Sequence, residues 1–267
     1  MVTPDHEAPP NWRRCFLAAV QFLTRLPVPS SSETSAAAYA ATLRRSVVLF
    51  PLVGGLVGLA TAGVFVVASL IGLPPLVAAI VALGCEALWT GAFHEDAFAD
   101  TCDALGGGWT RAQVLKIMKD SRLGTYGTVA LVVGVGGRAA AMASLVTDGI
   151  VWPLLAITAA AAWGRIAIVA MMVFTAPIEN RDSHAKDISG MQTGATLLIA
   201  ALLSLPLWIG WLLFAPLLAI VSLAAATLVL VWFRHKILKR VGGTTGDLLG
   251  CSAFLVQLVI LIGASAR

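Results

Sequence analysis

The chain has 267 residues, of which 58% are hydrophobic and 12% charged, with a net charge of +4 and a mean hydropathy of +0.88. That composition excludes one large or two small water-soluble domains and fits a surface that faces lipid. Lipid cannot hydrogen-bond the backbone, so the spanning elements must be helices or a closed barrel. The long apolar runs do not alternate with polar residues, and the fold class expected is an all-α, polytopic membrane bundle of about seven transmembrane helices.

In chain order, the run Cys15–Leu23 is too short to span and is followed by Arg25. With no small-residue cleavage site after it, it reads as a re-entrant or interfacial helix rather than a signal peptide. Spans are expected over 47–72, 75–92, 128–147, 150–175, 195–214, 216–233 and 248–265, each near the ~20 residues that a ~30 Å hydrocarbon core requires. The segment 1–46 is expected to be cytoplasmic or interfacial, and 93–127 to carry the active site, within one integral membrane domain.

Fifteen of the eighteen Lys and Arg residues fall in 1–46, 93–127, 176–194 and 234–247, which are alternate connections. The opposite connections, near 73–74, 148–149 and 215, contain none. The excess of basic residues places the N-terminus and every charged loop in the cytoplasm. The same asymmetry accounts for the positive net charge and implies an anionic lipid bilayer, and no nucleic acid, as the partner. The four cysteines show no CxxC spacing and suit reduced, packed thiols.

The stretch FHEDAFADTCDALGGGW, 93–109, holds four of the fourteen acids. As a helix, it places Asp96, Asp100 and Asp103 at i, i+4 and i+7 on one face, with Glu95 about a quarter-turn away. Gly106, Gly107 and Gly108 then end the helix. Carboxylates this close repel one another at a membrane boundary, and a hard divalent cation removes that cost. Glu95, Asp96, Asp100 and Asp103 are therefore the candidate ligands of Mg²⁺. His94 and Asp103 are candidates for the general base.

Downstream, Thr110 is a plausible N-cap of an amphipathic helix with Val114, Leu115 and Met118 as its apolar stripe. Lys119, Asp120 and Arg122 follow near Gly124 and Gly127, where backbone can approach a ligand. Arg138 and Arg165 lie inside spans, so each should face the bundle interior and meet either a buried acid or a substrate phosphate. Asp247, at the basic end of the last span, either caps that helix or binds substrate or metal. Carboxylates facing bases suit a metal–phosphate substrate: metal on one side, Lys119, Arg122, Arg138 and Arg165 as phosphate clamps on the other.

The block FHEDAFADTCDALGGGWTRAQVLKIMKDSRLGTYG closely resembles the signature of the cobalamin synthase (adenosylcobinamide-GDP ribazoletransferase) family. FLTRLPVP, FPLVGGLVG and GGTTGDLLG resemble its other blocks and occur in the same order, so the resemblance covers most of the chain. Ala97 stands where the family often has glycine, Gln257 lies near a position where it often has glutamate, and the loop IENRDSHAKDISG departs from the family's Arg- and Gly-rich form. The resemblance implies that adenosylcobinamide-GDP and α-ribazole, or its 5′-phosphate, are joined to adenosylcobalamin, or its 5′-phosphate, with release of GMP. It also implies a Mg²⁺ cofactor and the bacterial inner membrane. A membrane location for one step of a pathway with soluble steps suggests docking with other enzymes of corrinoid assembly. Two rivals share part of the inventory. A CDP-alcohol phosphotransferase also arranges aspartates on a helix, but its spacing fits AFADTCDALGGG poorly. A transporter would be expected to place its carboxylates near mid-membrane and to show a repeat of spans.

Overall fold

A computed structural model describes residues 11–29, 36–178 and 192–266. The loop residues 179–191, with Arg181 and Lys186, lie outside the described residues, so the departure of that loop from the family form has no structural account here. Among the described residues the regular structure is helical, apart from a single bridge between Pro177 and Thr244.

Helix α1 (Trp12–Leu23) has 12 residues, too few to cross a bilayer, as its length in the sequence implied. Asn11 caps it by accepting from the Arg14 N–H. Helix α2 (Ala36–Ser46) runs through a short 3₁₀ turn into α3 (Phe50–Leu70), and the two form one long apolar stretch from Ala38 to Leu70. Then follow α4 (Pro75–Thr90), α5 (Phe93–Gly107), α6 (Arg111–Ile117), α7 (Thr125–Ser144), α8 (Val151–Phe174), α9 (Gly194–Phe214), α10 (Pro216–Val241) and α11 (Gly246–Ser265). Six of these stretches are long and apolar enough to cross a membrane, and the pair α4–α5 makes a seventh if counted as one broken span.

Two elements differ from expectation. Helix α10 runs eight residues beyond 233 because nothing breaks it before Gly242, which takes φ 79°. Its extra turns carry Lys236, Lys239 and Arg240 at the C-terminal end, where cations are favoured by the helix dipole. Helix α4 is short, and α5 leaves it at 92°. The corner is made by two successive left-handed residues, Gly91 at φ 71° and Ala92 at φ 55°. A non-glycine residue there costs about 1–2 kcal/mol, so the corner is held by what α5 packs against.

The bundle is built around α8, whose face Ala156, Ala159, Ala160, Ala161, Ala162 and Ala167 is buried. Gly54 and Gly58 on α3, spaced as GxxxG, let α8 approach closely. A Cβ at Gly58 would run into the Ala161 methyl and reach 3.0 Å from the Ile157 carbonyl oxygen. Helix α11 supplies the other wall. Phe254 stacks on Phe98 of α5 with ring centroids 4.3 Å apart, over the gap left by Gly134 of α7. Gly250 likewise leaves room for the Ala97 methyl, which accommodates the alanine at that position.

The basic connections meet at one end of the bundle. Arg25 N–H donates to the Trp89 carbonyl, Ile178 N–H to Thr244, and the Arg240 guanidinium to the carbonyls of Leu105 and Gly108. All four cysteines are free thiols, with Cys15 and Cys251 buried.

Gly58→Val is expected to lower stability by about 1–3 kcal/mol through overpacking against α8. Gly63→Ala, where an added Cβ meets nothing within 4 Å, should be neutral or stabilising. Thermal unfolding in detergent compares the two.

Candidate active site

Helix α5 presents its acids in three different electrostatic states, although one-dimensional spacing puts three of them on a single face. Asp96 is exposed, Asp100 half-buried and Asp103 only 8% exposed. The gradient arises because the C-terminal half of α5 lies beneath the start of α7.

There the Asp103 carboxylate accepts from the Gly124 N–H at 2.7 Å and the Gly127 N–H at 2.8 Å, one bond to each oxygen. It therefore satisfies orphan donors at the N-terminus of α7, where the helix dipole also favours an anion. Glycine at both positions leaves room for this clamp, since a Cβ on either would displace the carboxylate. Asp103 is thus both a candidate ligand and a structural clamp between α5 and α7.

Glu95 is ion-paired with Arg138 at 2.8 Å, and the other arm of that guanidinium reaches Glu86 of α4 at 2.8 Å. His94 is buried beside Arg165, with Nδ1 3.5 Å from Nη2. Arg165 also donates to Gln257 Oε1 at 3.1 Å and crosses the space above Gly54. Both intramembrane arginines thus face the interior, as expected, and their contacts are with protein groups.

Asp247 comes to the acidic face. Its carbonyl accepts from Thr101 Oγ1 at 3.4 Å, and its charge, with those of Asp96 and Asp103, adds to burial in raising the Asp100 pKa. The N-cap of α11 is Thr245, which accepts from the Leu248 N–H, so Asp247 occupies the first turn and leaves the capping to Thr245. Thr110 caps α6 in a reciprocal box with Gln113, as expected.

The turn after α6 is solvent-facing. Asp120 and Arg122 pair with each other at 2.6 Å, which holds the Asp120 carboxyl down at about 2. Lys119 is exposed nearby. The structure therefore groups Asp96, Asp100, Asp103 and Asp247, sets Glu95 and His94 into a buried network behind them, and leaves Lys119, Asp120 and Arg122 on an outer turn.

Two features escaped the sequence reading. Glu86 is buried at 3% exposure in an apolar helix, and a lone acid in such a run was the available signal. The basic end of α10 forms a shallow cavity of about 320 Å³ lined by Trp232, His235, Lys236, Lys239 and Arg240. Arg240 ties that end to the glycine turn after α5.

Among the described residues, no three His, Cys, Asp or Glu side chains converge on a ready-made metal site. The donor chemistry nevertheless fits Mg²⁺. Burial and three neighbouring carboxylates push Asp100 up to about 6, the mark of negative charge left unneutralised by the protein. Mg²⁺ takes one or two carboxylates and completes its shell with water and substrate phosphate, so an incomplete protein set on Asp96 and Asp100 matches its habit.

Asp103→Asn places an NH₂ against one of two backbone donors and should cost about 1–3 kcal/mol of stability. Asp100→Asn removes a repelled charge and should leave the melting temperature unchanged or higher. Paired thermal melts at neutral pH distinguish the clamp from the uncompensated acid.

Comparison with known proteins supplies an independent view. Residues 15–265 match the family described as cobalamin-5-phosphate synthase. A relative from Bradyrhizobium diazoefficiens is 39% identical over 251 residues, 93% of this chain and 92% of its own. One from Rhizobium etli is 40% identical over 255 residues, covering 91% and 93%. One from Brucella canis is 35% identical over 254 residues, covering 92% and 94%. Each is named adenosylcobinamide-GDP ribazoletransferase. No solved structure matches the chain. The matches run through the acidic helix, both arginine-bearing spans and the Gly-Asp turn of α11, and the chain belongs to the cobalamin-5-phosphate synthase family.

Proposed function

We propose that this protein joins adenosylcobinamide-GDP to α-ribazole, or its 5′-phosphate, with Mg²⁺, giving adenosylcobalamin, or its 5′-phosphate, and GMP. The carrying observation is the unneutralised pair Asp96 and Asp100 with Asp247 against it, in a chain whose relatives of that name align over nine-tenths of its length. The excess of Lys and Arg on the connections at that end supports a cytoplasmic site in the inner membrane.

The ribazole 3′-hydroxyl attacks the phosphorus that bears the corrinoid's aminopropanol linker. A new P–O bond forms, the bridging P–O bond of the diphosphate breaks, and GMP leaves with the bridging oxygen. Bound Mg²⁺ would neutralise charge on the diphosphate and its leaving group, a Lewis-acid role. Asp96 and Asp100 are the residues that would hold it. The hydroxyl proton passes to a carboxylate of this cluster.

Asp103 is a positioning residue in this scheme, because both its oxygens already accept backbone N–H groups. Arg138 and Arg165 hold the first turn of α5 from behind. Phosphate clamping falls instead to groups at the bundle's basic end: Lys119 and Arg122 on the outer turn, and Lys236 and Lys239 on the overhanging end of α10. Arg122 reaches a phosphate by exchanging its exposed pair with Asp120, which costs little.

Asp96→Asn and Asp100→Asn are each expected to lower GMP release by about 10²-fold while the protein stays folded. GMP is measured in detergent with the activated corrinoid, and near-native release from both variants would remove the assignment.

The Asp100 shift also fixes a pH dependence. A proton and a divalent cation compete for the same carboxylate, so Mn²⁺ affinity should be constant above about 6 and fall as pH drops below it. In metal-free protein the sign reverses. Between the ordinary aspartate value and 6 the folded state binds the extra proton, so this group's contribution to stability rises as pH falls through that window. Affinity titrations and thermal melts from pH 5 to 8 (an interval set about the shifted value) read both limbs.

A further inference from the structure

The buried network behind the acidic helix contains an acid to which the proposed chemistry gives no part. Glu86 Oε1 accepts from Arg138 Nη2 at 2.8 Å and from Gln257 Nε2 at 3.4 Å, and Oε2 accepts from Thr61 Oγ1 at 3.0 Å. Gln257 in turn accepts from Arg165 Nη1 at 3.1 Å. The two arginines end on adjacent residues of α5: Arg138 on Glu95 at 2.8 Å and Arg165 beside His94 Nδ1 at 3.5 Å. A guanidinium can only donate, so Nδ1 is the acceptor there and the imidazole proton sits on Nε2. One connected set of side chains thus runs from α3, α4, α7, α8 and α11 into the first turn of α5.

Its formal charges balance: Arg138 and Arg165 against Glu86 and Glu95. The balance matters because Arg138, Arg165 and Glu86 are closed off from water, where one unmatched charge is costly and two neighbouring guanidiniums would compete for a single carboxylate. With Glu86 neutral, Glu95 alone would offset the charge of both arginines, and Arg138 would keep only a weaker, uncharged second acceptor for its fork. The corner at Gly91 and Ala92 cannot hold α5 by its own backbone preference, since Ala92 is strained there.

We propose that Glu86 is a positioning residue. Its charge, rather than its shape, keeps Arg138 and Arg165 directed at Glu95 and His94, and so sets the rotation of α5 that turns Asp96 and Asp100 outward. Gln257 already bridges Arg165 and Glu86, so the same charge should serve from position 257. This rests on the proposed transferase reading for its kinetic readout alone.

The test compares Glu86→Gln, Gln257→Glu and the double variant in full-length, detergent-purified protein. Turnover is measured by GMP release, and amide hydrogen exchange is followed over residues 93–100. Glu86→Gln should lower kcat by about 10²-fold with KM for the corrinoid little changed, as for a misplaced reacting group. It should also speed exchange in the first turns of α5 more than in α4 or α11. Gln257→Glu alone adds a third acid and should be impaired as well. The double variant should recover at least about tenfold over Glu86→Gln, the sign of coupled sites.

A folded Glu86→Gln with unchanged turnover or unchanged α5 exchange overturns the proposal, as does a double variant no better than the single. If Glu86→Gln does not fold, Glu86→Asp keeps the charge one methylene farther from Arg138. Because the charge is kept, its turnover should stay within about tenfold of the parent with near-parental α5 exchange, and a loss of about 10²-fold or more overturns the proposal. If the parent releases no GMP, the transferase reading fails, and the exchange data still decide the positioning claim.

Discussion

Negative charge at the edge of a low-dielectric bundle must be matched, and the way each acid of α5 is matched orders the rest of the structure. Glu95 is matched by Arg138, inside the bundle. Asp103 is matched by two backbone N–H groups at the start of α7. Among the described residues Asp96 and Asp100 meet neither kind of partner, and the charge of Asp247 adds to the repulsion at Asp100. Two acids anchor the helix, and the remaining pair keeps its demand for a cation. Anchors and candidate ligands are therefore neighbours on one short helix, which is why a site can be rigid although its helix follows a strained corner.

The spans were readable because lipid imposes one rule on all of them, and α7, α8, α9 and α11 lie within three residues of their expected ends. The corner before α5 was not, because it depends on Ala92 taking a left-handed conformation that its residue type disfavours. The overrun of α10 was hidden by charge: hydropathy marks where lipid ends, whereas the helix ends at its first glycine in a left-handed conformation. Within the site, periodicity brought three aspartates to one face but could not grade their burial. That gradation comes from α7 lying over Asp103: Gly124 and Gly127 were expected to approach a ligand, and in the structure their N–H groups bond the Asp103 carboxylate. The arginines in spans were expected to meet an acid or a phosphate. The structure gives Arg138 two acids, and Glu86 was overlooked because a single charge in α4 hardly lowers its hydropathy.

Burial separates the two groups of cations. Arg138 and Arg165 are buried with interior partners, a framework whose charge is already used. Lys119, Arg122, Lys236 and Lys239 lie at the end where the charged connections gather, and of these Arg122 carries a solvent-exposed pair with Asp120. A nucleotide-activated corrinoid is large and polyanionic at its diphosphate. On the proposed function, the acidic face of α5 beside the basic end of α10 would receive such a molecule from water while its enzyme stays in the membrane.

The most direct test is a structure of the protein with Mg²⁺ and a non-reactive analogue of adenosylcobinamide-GDP. The account requires metal density against the carboxylates of Asp96 and Asp100, with diphosphate oxygens completing the shell and Glu95 still on Arg138. Metal bound elsewhere, or Glu95 swung off Arg138 to coordinate it while Asp96 and Asp100 point to solvent, would contradict it.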